Sequence, residues 1–397
     1  MTLRVLFYVQ HLLGIGHFRR AMALARALEA AGMAVTVASG GRPVPGIPLA
    51  GRLLQLPPAE AADSRFATIL DEAGRPIDEA WRARRRAALL AAFSEARPDL
   101  LLIEQFPFGR RAFRFELLAL LEAAQTRIPR PAIACSLRDI LVAKPDPERI
   151  AETIALTRRF FDRVLVHGDP AVIPLEASFP AAAEIADRLV YTGYVLDGAA
   201  ASHASSPVEA PSGEILVSAG GGAVGRPLIE AALAARPLTS FKNRPWRIVA
   251  GPGMAEGDVA ALRAGLPEGV ALDRLRADLP RLFARCRLSV SQAGYNTVME
   301  LLAARARALV VPFAEARETE QTLRARRLAA LGLLDLIEAD ALEPARLAAA
   351  IDRAAARPQP RVTIDLDGAA HSAALLMTLA ATRRGVGNRG ELRESGA

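Results

Sequence analysis

The chain has 397 residues, of which 51% are hydrophobic and 23% charged. That length exceeds one compact core and suits two domains of ~200 residues each, and the apolar fraction excludes wholesale disorder. Two cysteines, Cys135 and Cys286, exclude a disulfide scaffold or a multi-cysteine zinc site, while the net charge of +7 is carried by arginine, with only Lys144 and Lys242 as lysines.

Short Val/Ile/Leu runs alternate with Ala/Leu/Arg stretches of helical period, the pattern of βαβ units and parallel sheets. Strands are expected at 4–9, 34–38, 100–103, 132–135, 163–166 and 189–191. A second set follows at 214–218, 246–250, 270–272, 288–291, 308–311 and 334–337. Such continuously apolar strands are usually covered by helices on both faces. The segment 197–213, rich in Ala, Ser, Pro and Gly, is expected to link a domain at 1–196 to one at 214–384. An amphipathic helix is expected at 369–384 and a disordered tail at 385–397. No run approaches the ~20 apolar residues of a membrane-spanning helix. The start has no small-residue cleavage site, so a cytoplasmic location is expected.

Two glycine-rich turns between strand and helix carry the first functional signal. Gly14-Ile-Gly16-His17 follows the first strand, and Phe18, Met22, Ala25 and Leu28 then share a helix face from which Arg19, Arg20, Arg26 and Glu29 largely diverge. Glycines here let a ligand approach the backbone, and the helix start offers free N–H groups. Arg19 replaces the third glycine of the dinucleotide fingerprint, which excludes a dehydrogenase of that type. His17, at the carboxyl end of the first strand, is a candidate general base; its alternative is a histidine that only caps the helix or bonds a loop carbonyl. In the second half, Ser218-Ala-Gly220-Gly221-Gly222-Ala-Val-Gly225 suits a loop wrapping phosphate or sugar oxygens, or a merely flexible turn.

The most specific stretch is Ser291-Gln-Ala-Gly294-Tyr-Asn296-Thr297-Val-Met-Glu300, followed by the strand 308–311 ending in Val-Pro, then Glu320-Gln321 and Arg324-Ala-Arg326. It resembles the C-terminal domain of glycosyltransferase family 28, and the glycine-loop-plus-His start, Glu104–Arg110 and Ser136–Ile140 resemble bacterial glycosyltransferases related to that family. The resemblance implies the GT-B fold: α/β, with two doubly wound Rossmann-like domains facing a cleft. The N-terminal domain then takes the acceptor and the C-terminal domain a nucleotide-sugar, usually a UDP-sugar, with the last helix returning to the first domain. Carried over, Glu300 bonds the ribose, Gln321 holds the sugar with Glu320 beside it, and Gly294 and Thr297 line the diphosphate region, with the helix start near Asn296 meeting the leaving group. Ser218, Gly221 and Gly222 frame the reaction centre, Leu275 lies where the uracil is met, and Arg324 helps the leaving diphosphate. Read alone, Thr297-x-x-Glu300 is also a capping box, and Gln321 an ordinary helix-surface residue.

On the acceptor side, Gly14, Gly16 and His17 join two strand-end clusters, Glu104 with Gln105 and Ser136 with Arg138 and Asp139. They are expected to form a pocket in which Arg110 or Arg138 meets an anionic group, the alternative being a salt-bridged loop pair. No metal and no cofactor is expected beyond the donor itself. Retaining GT-B enzymes often carry a second glutamate eight positions after the first; position 308 is alanine, so inversion is expected. The arginines at 82–86 suggest peripheral contact with an anionic membrane. A low aromatic content and the lack of a recognisable nucleic-acid-binding domain argue against nucleic acid. A nucleotide-sugar hydrolase and a non-catalytic nucleotide-sugar-binding protein are the competing functions.

Overall fold

A computed structural model describes residues 2–12, 14–44, 47–62, 67–141, 146–196, 212–220, 225–251, 253–274, 276, 278–312 and 320–394, the last nine by backbone only. The chain divides into two compact units: Met1–Pro170 with Pro174–Val195 and Asp367–Ala397, and Ala171–Ile173 with Leu196–Leu366.

The first unit contains strands β1 (Arg4–Val9), β2 (Ala34–Ser39), β3 (Arg52–Gln55), β4 (Glu60–Ala61), β5 (Ile69–Leu70), β6 (Leu100–Glu104), β7 (Ala132–Arg138), β8 (Arg163–His167) and β9 (Leu189–Tyr191). Its helices are α1 (Gly16–Ala30), α2 (Glu79–Ala96), α3 (Arg114–Thr126) and α4 (Pro147–Phe160). Seven strands form a parallel sheet in the order β3-β2-β1-β6-β7-β8-β9, and β4 and β5 make a small antiparallel pair. Alternate residues of each strand enter two different cores, as a pleat of period two requires. Leu6, Tyr8, Leu101 and Ile103 pack with Leu89 of α2 and Leu117 of α3. Val5, Phe7, Leu100 and Leu102 pack with Met22 and Leu28 of α1 and with Leu376 near the chain's end.

The second unit contains β10 (Ile215–Ser218), β11 (Trp246–Val249), β12 (Val270–Asp273), β13 (Leu288–Gln292), β14 (Ala308–Val311) and β15 (Asp335–Leu336). Its helices are α5 (Arg226–Ala235), α6 (Glu256–Ala264), α7 (Leu279–Arg285), α8 (Tyr295–Ala303), α9 (Glu320–Ala330) and α10 (Pro344–Ala356). Its sheet is also parallel, in the order β12-β11-β10-β13-β14-β15. In each sheet the chain winds outward from its first strand and then restarts on that strand's other side. This creates a switch point between β1 and β6, and another between β10 and β13. Ligands of doubly wound sheets bind beyond the strands' carboxyl ends at such points.

The final helix, α11 (Gly368–Glu394), belongs to the first unit. Val195 pairs with Asp367, and Gly368 N–H donates to the Tyr194 carbonyl at 3.1 Å. A Cβ on Gly368 would lie 2.2 Å from the Gly193 carbonyl oxygen, so only glycine permits this approach. The second compact unit therefore ends at Leu366, and the last helix packs with the first. The helix also continues past 385, where disorder was expected. Gly385, Gly387 and Gly390 cost ~1 kcal/mol each relative to alanine but do not forbid helix as proline does. The last three residues of that tail, and 197–211 of the expected linker, lie outside the described residues. Strand β3 was not anticipated: its four residues, Arg-Leu-Leu-Gln, are too few to show alternation and sit at the sheet edge.

Candidate functional site

At the switch point of the first unit, the β1–α1 turn delivers His17 to the carboxyl end of the sheet. Gly14 is exposed with open space around its Cα, and the N-cap residue, Ile15, offers no side-chain cap to α1. His17 is the second residue of α1, and its side chain is 22% exposed. Its Nδ1 lies 2.5 Å from Oε1 of Glu104, the buried last residue of β6. A carboxylate only accepts, so Nδ1 carries the hydrogen and Nε2 keeps its lone pair. Glu104 also accepts from Arg20 NH2 at 2.7 Å (Oε1) and from Arg110 NH2 at 3.1 Å (Oε2).

The electrostatics follow from this packing. Burial pushes the His17 imidazole down to about 3; Glu104 opposes that shift, while Arg110 and Arg138 reinforce it. Burial alone would raise the Glu104 carboxyl, but His17, Arg110 and Arg20 outweigh it and hold the group well below the usual carboxylate range. Beside this cluster, His167 at the end of β8 is fully buried between Ser136 Oγ (2.8 Å from Nε2) and Thr192 Oγ1 (2.9 Å from Nδ1). Burial pushes it, too, down to about 3.

Both shifts carry a stability consequence. An unfolded histidine takes up its proton near 6.5, whereas these two resist until about 3. Unfolding therefore binds more protons as pH falls from 6.5 towards 3, and stability declines through that window. The depressed Glu104 carboxyl adds a loss in the same direction at the acid end. The two tryptophans, Trp81 and Trp246, fall one in each unit, so a Trp246→Phe background reports the first unit alone. Its urea midpoint is expected to be lower at pH 5 than at pH 7.5; equal midpoints would contradict the assignment.

The acceptor-side candidates have mixed fates. Glu104 and Arg110 converge on His17, and both acceptor clusters are drawn into strands: Glu104 ends β6, and β7 runs on through Ser136 to Arg138. Arg110 bonds Glu104, as the salt-bridge alternative anticipated. Arg138 is half-buried and Asp139 fully buried, with the Gly168 backbone packed against the Asp139 side chain. Arg20 was missed. Its position away from the apolar stripe suggested solvent, yet it is 4% exposed and points into the cluster. The run at 82–86 is not a free basic patch either: Arg85 is fully buried, while Arg82 pairs with Glu79 and Arg84 with Glu72. The signal was present, since Trp81, Arg85 and Leu89 lie four residues apart on one buried face of α2.

At the second unit's switch point lie residues 218–220, at the end of β10 and just beyond it, and the start of α8. Ser218 ends β10, 1% exposed. Gly220 has φ +68°, a backbone that favours glycine, and a Cβ there would sit 3.5 Å from Gln292 Oε1 and 3.8 Å from Thr297 Oγ1. Helix α8 begins at Tyr295 with Gly294 as N-cap and no side-chain cap. This overturns the capping-box alternative: a Thr-x-x-Glu box needs Thr297 at the N-cap, whereas Gly294 holds that place and Thr297 and Glu300 are the third and sixth residues of the helix. The N-cap of α8 is thus a glycine with open space around it, the arrangement that lets a phosphate approach a helix start. Asn296 is half-buried; Thr297 and Glu300 are buried. On α9, Glu320 accepts from Arg324 NH2 at 2.8 Å, and the Arg324 guanidinium lies 5.2 Å from the Tyr295 ring centroid. Arg324 is thus fully buried against α8 rather than presented as a surface cation. Gln321, half-buried, is its neighbour on α9. Gly221, Gly222 and Leu275 lie outside the described residues. Among the described residues no group of three His, Cys, Asp or Glu is placed to hold a metal ion, and no helix is long and apolar enough to cross a membrane.

Two parallel doubly wound units, each with a glycine turn at its switch point, define the GT-B class. Solved structures agree at the level of fold. A MurG from Acinetobacter baumannii matches with a TM-score of 0.58 at 14% identity, over 94% of this chain and 99% of that one. The calicheamicin glycosyltransferase CalG4 matches at 0.57 and 16% over the whole of both chains, and the spinosyn rhamnosyltransferase SpnG at 0.58 and 18% over 96% of both. More particularly, residues 226–369 match the glycosyltransferase family 28 C-terminal domain. A UDP-N-acetylglucosamine--N-acetylmuramyl-(pentapeptide) pyrophosphoryl-undecaprenol N-acetylglucosamine transferase from Paramagnetospirillum magneticum is 31% identical over 186 residues, 45% of this chain and 50% of that protein. A protein of the same name from Brucella anthropi is 29% identical over 165 residues, 41% of this chain and 44% of that protein. The chain thus spans about half the length of the curated relatives it matches.

Proposed function

We propose that the protein is an inverting glycosyltransferase that moves a hexose-type sugar from a nucleotide-sugar, a UDP-sugar by preference, to an acceptor hydroxyl. The observation that carries this reading is His17: partly open at the switch point, neutral, and held at Nδ1 by a buried carboxylate. Its Nε2 takes the proton of the acceptor hydroxyl. The freed oxygen attacks the anomeric carbon, the bond to the diphosphate breaks, and a single displacement inverts that centre. Charge growing on the leaving diphosphate is met by the N–H groups at the start of α8 and by the loop after β10. No metal or cofactor takes part in this scheme. The family 28 match spans Gly294, Asn296, Thr297, Glu300, Glu320, Gln321 and Arg324, which supports donor binding in the second unit. The printed names of the curated relatives make UDP-N-acetylglucosamine the first donor to test and an undecaprenyl-linked muramyl saccharide the first acceptor. An acceptor of that kind places the protein on the cytoplasmic face of the membrane, in peripheral contact.

UDP release separates the readings. Release from UDP-N-acetylglucosamine only when the lipid-linked acceptor is present supports transfer. Release without acceptor supports the hydrolase alternative, with water in the hydroxyl's place. Binding without release supports a non-catalytic binder. For the donor itself, UDP-sugar at ~100 times its dissociation constant adds ~2.7 kcal/mol of stability. Glu300→Ala is expected to weaken that binding about 10-fold or more, the scale of a hydrogen bond to a charged group. An unchanged thermal shift in that variant removes Glu300 from the donor site.

A further inference from the structure

His17 and Glu104 are not an isolated pair. Arg20 lies three residues beyond His17 on the same side of α1, 4% exposed. Its NH2 reaches Glu104 Oε1 at 2.7 Å and stands 3.3 Å from His17 Nδ1. With the Nδ1 hydrogen committed to Glu104, that second approach is a cation facing an N–H, not a hydrogen bond. Arg110 holds the other carboxylate oxygen from the loop after β6, and Arg138 of β7 acts on the same imidazole. Among the described residues, the charged groups recorded beside His17 include Arg20 of its own helix, Glu104 and Arg110 from β6 and the loop after it, and Arg138 of β7.

We propose that Arg20 is a positioning residue for the base: it fixes the ionised Glu104 in the orientation that receives Nδ1–H, and its own charge keeps His17 unprotonated so that Nε2 stays available. Burial already favours the neutral imidazole, but a carboxylate at Nδ1 works against it by stabilising the imidazolium, and a like charge nearby offsets that pull. Arg20 divides the Oε1 contact and adds a like charge within 4 Å. Its catalytic meaning rests on the base role given to His17 above, but its effect on protonation does not need substrate.

The test is a titration of histidine-selectively ¹⁵N-labelled full chain, with the His17 signal assigned by its loss in His17→Gln. In the native protein His17 is expected to hold the Nδ1–H neutral form from pH 8 to pH 5. Arg20→Met is expected to raise its midpoint by one pH unit or more, whereas Arg20→Lys, which keeps the charge, leaves it close to native. Arg20→Gln retains a donor to Glu104 without charge and gives the same upward shift where the methionine variant fails to fold. A native midpoint near 6.5, or titration curves that superimpose in the native protein and the neutral variants, would overturn the proposal. UDP release that survives His17→Ala unchanged would instead defeat the base role, leaving the protonation result standing.

Discussion

His17→Ala is expected to lower turnover by ~100-fold or more while nucleotide-sugar binding stays intact, the usual contribution of a positioned general base. The donor-site candidates all lie in the second unit and His17 in the first, so nucleotide binding is the control that isolates the chemical step. The histidine is suited to this work by what surrounds it. Glu104 is the buried end of a central strand and cannot easily move, so Nδ1 is tethered and Nε2 is directed. A base already neutral well below pH 7 needs no prior deprotonation, though its weak basicity means that the gain comes from placement. The measurement is UDP release with donor and acceptor, alongside a thermal-shift titration with UDP. Unchanged turnover would remove His17 from the mechanism.

Arg85→Met is expected to cost the first unit ~3–5 kcal/mol, the range for breaking one side of a buried ion pair, and to lower its melting temperature by roughly 10 °C. Arg85 has no exposure and is fully used. Nε and NH2 donate to Glu116 at 2.8 and 3.0 Å, NH1 to the carbonyls of Gly40 and Pro57 at 2.9 and 2.7 Å, and NH2 to Gln10 Oε1 at 2.5 Å. The guanidinium lies 4.7 Å from the Phe113 ring centroid and 5.2 Å from that of Trp81, and Tyr8 donates to Glu116 at 2.6 Å. Loss of the arginine leaves a carboxylate buried with one hydroxyl partner. The double variant Arg85→Met with Glu116→Leu should recover much of the loss, because an apolar replacement of both partners avoids the stranded charge. Thermal melts followed by Trp81 fluorescence in the Trp246→Phe background decide it; a loss under about 1 kcal/mol in the single variant counts against the network.

Much of this was legible in the residues. Strands buried on both faces cannot alternate apolar with polar, so their continuous Val/Leu/Ile runs announced parallel sheets covered by helices, and the glycine turns marked the carboxyl ends where ligands bind. His17 stood out because it follows Gly-x-Gly at a strand's carboxyl end, where ligands of open α/β sheets bind. Less visible were features set by partners distant in sequence. Arg20 falls off the apolar stripe of its helix and Arg85 lies in a basic run, places where arginine is mostly exposed; their burial depends on Glu104 and Glu116, 84 and 31 residues away along the chain. Arg324 likewise owes its burial to partners the motif does not name: its place on α9 sets it against Tyr295 and Glu320.

The sequence by itself determined the two α/β units, the parallel character of their sheets and the two glycine turns, because periodicity and glycine content are local properties of the chain. Only the tertiary structure decided which charges meet. It set Glu104 against Nδ1 of His17, drew Arg20 into the same cluster and buried Arg324 against Tyr295 of α8. Each of these rests on strand order and register, which bring together groups far apart in the chain, and on burial, which makes an ionised side chain stable only where an opposite charge is already in place.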